Sequence, residues 1–209
     1  MRSGDGESRG NWKDLSDLYL NIRIARERKE CGKTVYEQLW ENDEPENTLV
    51  LSAPGTGKTT LLRDLIRLFS NGDEVHSGKR IGLVDERSEI AGCLHGIPQN
   101  DVGIRTDVLD GCPKVEGMML LVRSMAPEIL AVDEIGGVED FSAMQYALRC
   151  GCCLLATVHA GSLEELFQKP GWDKCGDEQM FGRYVVISKE DGKRRYQVKT
   201  ADEIYRKWD

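Results

Sequence analysis

The sequence has no apolar run long enough to cross a bilayer. Its longest, Ile129–Val132 and residues 152–158, fall far short of the ~20 residues a spanning helix needs. Residues 1–11 lack the basic, apolar and small-residue order of a secretory leader; they are polar and Gly-rich. Basic charge is also in deficit: Lys plus Arg number 28 against 36 Asp plus Glu, for a net charge of −8. That balance argues against broad, sequence-blind binding of nucleic acid, which depends on neutralising phosphates. Two basic clusters, at 23–33 and 189–199, read as solvated surface charge. Cysteine is not scarce, but its spacing lacks what a zinc site needs. Seven are present, but no second Cys-x-x-Cys and no His pair completes the 150–153 cluster, so Cys150, Cys152 and Cys153 read as small residues leading into a strand. An odd number without a leader points to reduced thiols in a cytosolic compartment.

What is present is an alternation of apolar strands and amphipathic helices. Residues 14–30 read as a short strand or linker and then a helix, with a helical segment at 35–40 and a polar break at 41–47 containing Pro45. From Thr48 the pattern is regular: a strand at Thr48–Ser52, a helix at 59–70 and a strand at 81–84. A Gly-, Asp- and Pro-rich loop then covers 92–113. A helix at Lys114–Met125, a strand at Ile129–Val132, a helix at 139–149, a strand at 153–158 and a helix at 163–168 complete the series. Strands apolar along their whole length, alternating with helices, form a parallel sheet covered on both faces. The fold class is therefore α/β. Near the end, 184–187 and 195–198 flank Glu190-Asp191-Gly192, a hairpin signal for an antiparallel edge.

The sharpest motif is Ser52-Ala53-Pro54-Gly55-Thr56-Gly57-Lys58-Thr59-Thr60, placed between a strand and a helix as a phosphate-binding loop requires. Glycines let successive N–H groups converge on phosphate oxygens, and the helix behind them adds its positive end. Pro54, Gly55, Thr56, Gly57, Lys58, Thr59 and Thr60 would line an ATP, with Lys58 on the β and γ phosphates and the Thr59 hydroxyl on Mg²⁺. Ser52 stands where the usual pattern has its first glycine.

Ile129-Leu130-Ala131-Val132-Asp133-Glu134 is the second motif. Asp133, on a strand expected beside the P-loop strand, would hold Mg²⁺ through water, and Glu134 would polarise the attacking water. A third acidic strand end, Asp85-Glu86-Arg87, has two readings: a second carboxylate near that water, or a surface pair of Glu86 with Arg87. His159, closing the 153–158 strand, is either a sensor beside the γ-phosphate or a hydrogen-bonded loop residue. Arg105, Arg123 and Arg149 are candidates for stabilising transition-state charge, in cis or from a neighbouring subunit.

Three stretches, Val84-Asp85-Glu86-Arg87-Ser88-Glu89-Ile90, residues 96–113 and Arg123-Ser124-Met125-Ala126-Pro127-Glu128-Ile129, together with Val132-Asp133-Glu134-Ile135-Gly136, resemble the stage III sporulation protein AA family. That family is similar to the secretion ATPases of type II, type IV and pilus machines. The resemblance implies a RecA-like ATPase core over 48–209, working as a hexameric ring on the cytoplasmic face of a membrane channel during endospore formation. It implies that 14–47 is a linker and the tail of a larger N-terminal domain, while the polar, Gly-rich composition of the head reads 1–13 as a disordered lead or an appended remnant. By similarity Glu86 falls in the acidic box of the secretion ATPases and His159 in their histidine box. Those ATPases generally carry Gly-Glu where this chain has Asp133-Glu134, which leaves Glu134 and Glu86 both open as the base. Two other functions share the P-loop: a non-hydrolysing ATP switch or scaffold, and a small-molecule kinase, which the Asp133-Glu134 pair disfavours.

Overall fold

The computed structural model describes residues 29–172 and 180–206, so the readings made on residues 1–28 lie outside the described residues. The chain enters through α1 (Lys33–Tyr36) and a small hairpin of β1 (Trp40–Glu41) and β2 (Glu44–Pro45). The alternation follows: β3 (Thr48–Ser52), α2 (Lys58–Asn71), β4 (Ile81–Asp85), β5 (Thr106–Asp110), α3 (Lys114–Met125), β6 (Ile129–Val132), α4 (Val138–Arg149) and β7 (Cys153–His159). Helix α5 (Leu163–Phe167) precedes the hairpin β8 (Arg183–Glu190) and β9 (Lys193–Thr200), and α6 (Ala201–Tyr205) follows it.

Seven strands make one sheet in the order β5-β4-β6-β7-β3-β8-β9. Every pairing is parallel except β8 with β9, the antiparallel edge that the Glu190-Asp191-Gly192 turn announces. All five residues of β3 are buried. Alternation of side chains sends Leu49 and Leu51 to one face and Val50 to the other. The first face packs on Met118, Leu121, Phe141 and Met144 of α3 and α4, the second on Leu61, Leu62, Leu65 and Ile66 of α2. Each such side chain contributes roughly 1.5–3 kcal/mol by leaving water. Val35, Tyr36 and Leu39 join the α2 face, so the segment around α1 packs onto the same core.

The structure corrects three expectations. The 92–113 loop contains a strand, β5, hidden because Thr106-Asp107-Val108-Leu109-Asp110 is an edge strand whose polar residues break the apolar run. Helix α1 stops at Tyr36, and Trp40 lies in a strand rather than a helix. Most consequential, the strand that ends at Asp133 is not beside the P-loop strand: β7 lies between β6 and β3. Parallel connections can skip a position, and spacing along the chain does not reveal the skip.

Candidate nucleotide-binding site

The carboxyl ends of β3, β4, β6 and β7 open on one edge of the sheet, where ligands of open α/β folds bind. The loop after β3 turns through Gly55 at φ 73° and Gly57 at φ 114°, the left-handed region that favours glycine. Gly57 is the N-cap of α2 and offers no side-chain cap, so the first N–H groups of α2 have neither an intrahelical acceptor nor a capping oxygen. That is the donor set a phosphate completes. Thr56 braces the crest by donating its hydroxyl to the Ala53 carbonyl at 2.8 Å. Thr59 and Thr60 follow on the first turn of α2, half-buried.

Lys58 is only 6% exposed. Burial lowers its pKa, while the charges of Glu134 and Asp133 pull the other way. Its Nζ stands 2.7 Å from His159 Nδ1. An ammonium has only donors, so Nδ1 accepts and the imidazole proton sits on Nε2. That nitrogen donates to Glu134 Oε1 at 2.6 Å. The other carboxylate oxygen of Glu134 takes Arg87 Nη1 at 2.8 Å. Lys58, His159, Glu134 and Arg87 therefore form one hydrogen-bonded line across the strand ends.

Glu134 holds this place in an unusual backbone conformation, φ 53°. A non-glycine residue there costs of order 1–3 kcal/mol, supplied by its surroundings. The surroundings are visible. Glu134 donates its N–H to the Thr157 hydroxyl at 2.9 Å, Lys114 Nζ reaches its carbonyl at 2.6 Å, and Ile135 donates to the Thr157 carbonyl at 2.8 Å. Thr157 in turn donates its hydroxyl proton to Asp133 Oδ1. Thr157, paired with Val50 of the P-loop strand, thus links Asp133 to that strand across β7. Burial raises the Asp133 pKa, with the Thr157 hydrogen bond opposing it.

Glu86 pairs with Lys114 at 3.4 Å, not with Arg87, so the surface pairing of Glu86 and Arg87 is corrected: Arg87 turns to Glu134. Asp85, Glu86, Arg87, Lys114, Asp133 and Glu134 line one small recess. Within it Asp85 is a structural acid. It is 2% exposed and accepts the backbone N–H groups of Glu89, Ile90 and Ala91 at 2.9, 3.1 and 2.8 Å.

The structure brings Lys58, Asp133, Glu134 and His159 together, with Glu86 one lysine away. It does not bring Arg105, Arg123 or Arg149 to the P-loop of the same chain. Arg105 precedes β5 and donates to the Ser70 carbonyl at 3.0 Å; Arg123 lies over the Tyr146 ring at 5.7 Å; Arg149 ends α4. In a parallel sheet, strand starts and helix ends share the edge opposite the P-loop. Sequence reasoning assigned no role to Thr157 or Lys114, and read Arg87 only as a surface partner of Glu86. For Thr157 a signal existed: a polar residue inside an apolar strand, two positions before His159 and so on the same side of β7.

A parallel sheet with this loop and these strand ends is the P-loop fold of secretion and pilus ATPases. The chain superposes on the ATPase DotB of Legionella pneumophila with a TM-score of 0.59 at 18% identity, over 87% of this chain and 53% of that one. The pilus retraction motor PilT with bound ADP gives 0.57 at 12% identity, over 88% and 60%. The chain belongs to the family described as sporulation stage III, protein AA, whose profile matches residues 6–203. It is 46% identical over 184 residues to stage III sporulation protein AA of Bacillus subtilis (strain 168), covering 88% of this chain and 60% of that relative's length. No described helix is long and apolar enough to cross a membrane.

Proposed function

We propose that this chain is an ATP-hydrolysing core that energises or assembles a membrane channel or secretion-like complex during endospore formation. The observation that carries the catalytic reading is the line from Lys58 through His159 to Glu134, with hydrogen bonds of 2.7 and 2.6 Å. It joins a phosphate-binding lysine to a carboxylate at the edge where an attacking water would stand.

The donor set fits ATP with Mg²⁺. Gly55 through Thr60 present uncapped backbone donors, and Lys58 adds a buried positive charge. Among the described residues no three His, Cys, Asp or Glu side chains converge as a metal group. The Thr59 hydroxyl and, through water, Asp133 would hold a divalent cation here beside the nucleotide's own oxygens, as magnesium prefers. Bound in that way, Mg²⁺ would neutralise charge on the phosphates. Glu134 orients and deprotonates the attacking water, and His159 links its carboxylate to the occupancy of Lys58. The transition-state arginine comes from a neighbouring subunit of a homo-oligomeric ring, hexameric in the full-length protein, with Arg105, Arg123 and Arg149 as candidates. That ring sits at the cytoplasmic face of its membrane complex, touching the channel proteins rather than nucleic acid.

Phosphate release with ATP and Mg²⁺, for the wild type and Lys58→Ala, tests this. Release well above background that Lys58→Ala abolishes is expected, and equal rates overturn the reading. A second reading, an ATP-binding switch without turnover, draws on the fact that both carboxylate oxygens of Glu134 are already engaged. It requires ATP-dependent association with turnover at background even in the assembled state.

A further inference from the structure

The hairpin of β8 and β9 reaches past the end of the P-loop strand. Ser52, the last residue of β3, pairs with Ile187, so Ser188, Lys189 and Glu190, and their partners Arg195, Arg194 and Lys193, overhang the loop. From this overhang Arg194 lays its guanidinium against Gly57. A Cβ placed on Gly57 would lie 2.5 Å from Arg194 Cζ and 2.7 Å from its Nε and Nη2. Gly57 is thus required twice, by its φ of 114° and by this contact.

The electrostatics of that placement are unfavourable as they stand. Arg194 sits at the N-terminal end of α2, whose dipole is positive there. Its register partner across the hairpin is Lys189, a like charge directly opposite. Among the described residues Arg194 makes no ion pair, and its Nη1 is buried without a hydrogen-bond partner. Tyr196, two residues on and on the same face of β9, contacts both the guanidinium and Cys31. The acid beyond them, Asp64, is already committed: it accepts the Gly32 N–H at 2.8 Å and Arg67 Nη2 at 2.9 Å. A buried guanidinium nitrogen held beside a phosphate loop, a lysine and a helix N-terminus lacks one thing, an anion.

We propose that Arg194 is a nucleotide-phosphate ligand delivered from the β8–β9 hairpin, closing the P-loop on the side away from Asp133 and Glu134. This rests on the nucleotide-binding reading of the loop and adds a residue to it. Pairing with a phosphate oxygen would satisfy Nη1 and offset the repulsion from Lys189 and the α2 dipole. The hairpin would then be held more firmly when the site is filled.

Competition by ATP and by inorganic pyrophosphate against a fluorescent ATP analogue tests this, in wild type, Arg194→Gln, Arg194→Lys and Lys58→Ala. Arg194→Gln should weaken ATP and pyrophosphate by the same factor, about tenfold or more for the loss of one charge-assisted hydrogen bond, and Arg194→Lys should recover much of it. Unchanged ATP affinity in Arg194→Gln overturns the proposal. So does weaker ATP with unchanged pyrophosphate, which marks a nucleoside contact, or a lysine variant as poor as glutamine, which marks a role of shape. If Arg194→Gln does not fold, Arg194→Ala decides by the same measure: pyrophosphate weakened in step with ATP supports the proposal, and wild-type values for both overturn it. Equal binding by wild type and Lys58→Ala would instead remove the nucleotide site itself.

Discussion

The two edges of the same sheet treat charge in opposite ways. At the edge where strands begin, charged side chains satisfy carbonyls or one another at the surface. Arg105 closes the end of α2 through the Ser70 carbonyl, Arg80 pairs with Glu128 at 3.4 Å, and Lys79 reaches Glu44 at 2.9 Å. At the edge where strands end, charges are withdrawn from water: Lys58 and Asp133 are buried or nearly so, Glu134 sits in a strained turn to meet them, and Asp85 is buried on backbone N–H groups. Surface pairs contribute little to stability, whereas desolvated charge costs stability and is kept where it does something else. Among the described residues, the strand-end edge carries this cost at Lys58 and Asp133.

The sharpest way to press that contrast is to compare the two candidate bases within the costly edge. Glu134 is fixed by His159 and Arg87 with its side chain 22% exposed, while Glu86 is 41% exposed and, among the described residues, pairs with Lys114 at 3.4 Å. Glu134→Gln should lower ATP turnover by about 10²–10⁴-fold, the usual contribution of a positioned base, with ATP affinity kept. Glu86→Gln should lower it only several-fold. Phosphate-release rates beside binding constants decide this, and a larger loss in Glu86→Gln would move the base to β4.

Most of this edge was legible in the sequence, and the reasons differ by residue. The P-loop announces itself because a glycine at φ 114° and a lysine behind it have few substitutes. The acid pair was visible as an apolar strand that stops on carboxylates. Strand order was not: local patterning is blind to which strand a parallel connection lands beside, so Asp133 was expected next to β3 when β7 intervenes. Strand β5 escaped because an edge strand need not be apolar, and its Asp107 and Asp110 look like loop residues. Arg87 was readable only as a neighbour of Glu86. Its turn toward Glu134 depends on β4 and β6 lying side by side, a tertiary fact.

A smaller effect separates the edges by stability. Burial raises the Asp133 pKa, so the folded state holds that proton more tightly than the unfolded one. The ionised carboxylate is therefore a penalty above the folded pKa, relieved as pH falls through it. Asp133→Asn should raise the melting temperature of the nucleotide-free protein near neutral pH by a few degrees, taking about 2–4 °C per kcal/mol at this chain length. The gain should shrink as pH falls through that same titration, and turnover should be lost throughout. Melting curves across pH check this; a lower melting temperature in the variant would mean that the Asp133 charge stabilises the empty site.

The smallest effects belong to the other edge, and there they carry the most information. Arg123 lies over Tyr146 in a cation–π contact at 5.7 Å, so Arg123→Ala should cost about 0.5–1 kcal/mol of stability, as such exposed contacts do. Arg105→Ala removes a hydrogen bond to the last turn of α2 and should cost about 0.5–1.5 kcal/mol. Neither should change ATP affinity in the dispersed chain, because neither lies at its P-loop. If either variant loses turnover only at protein concentrations where the wild type associates, that arginine is working in a neighbour's site. The quiet edge of one subunit would then be the catalytic edge of the next, and the contrast between the edges would hold within a chain but fail within a ring.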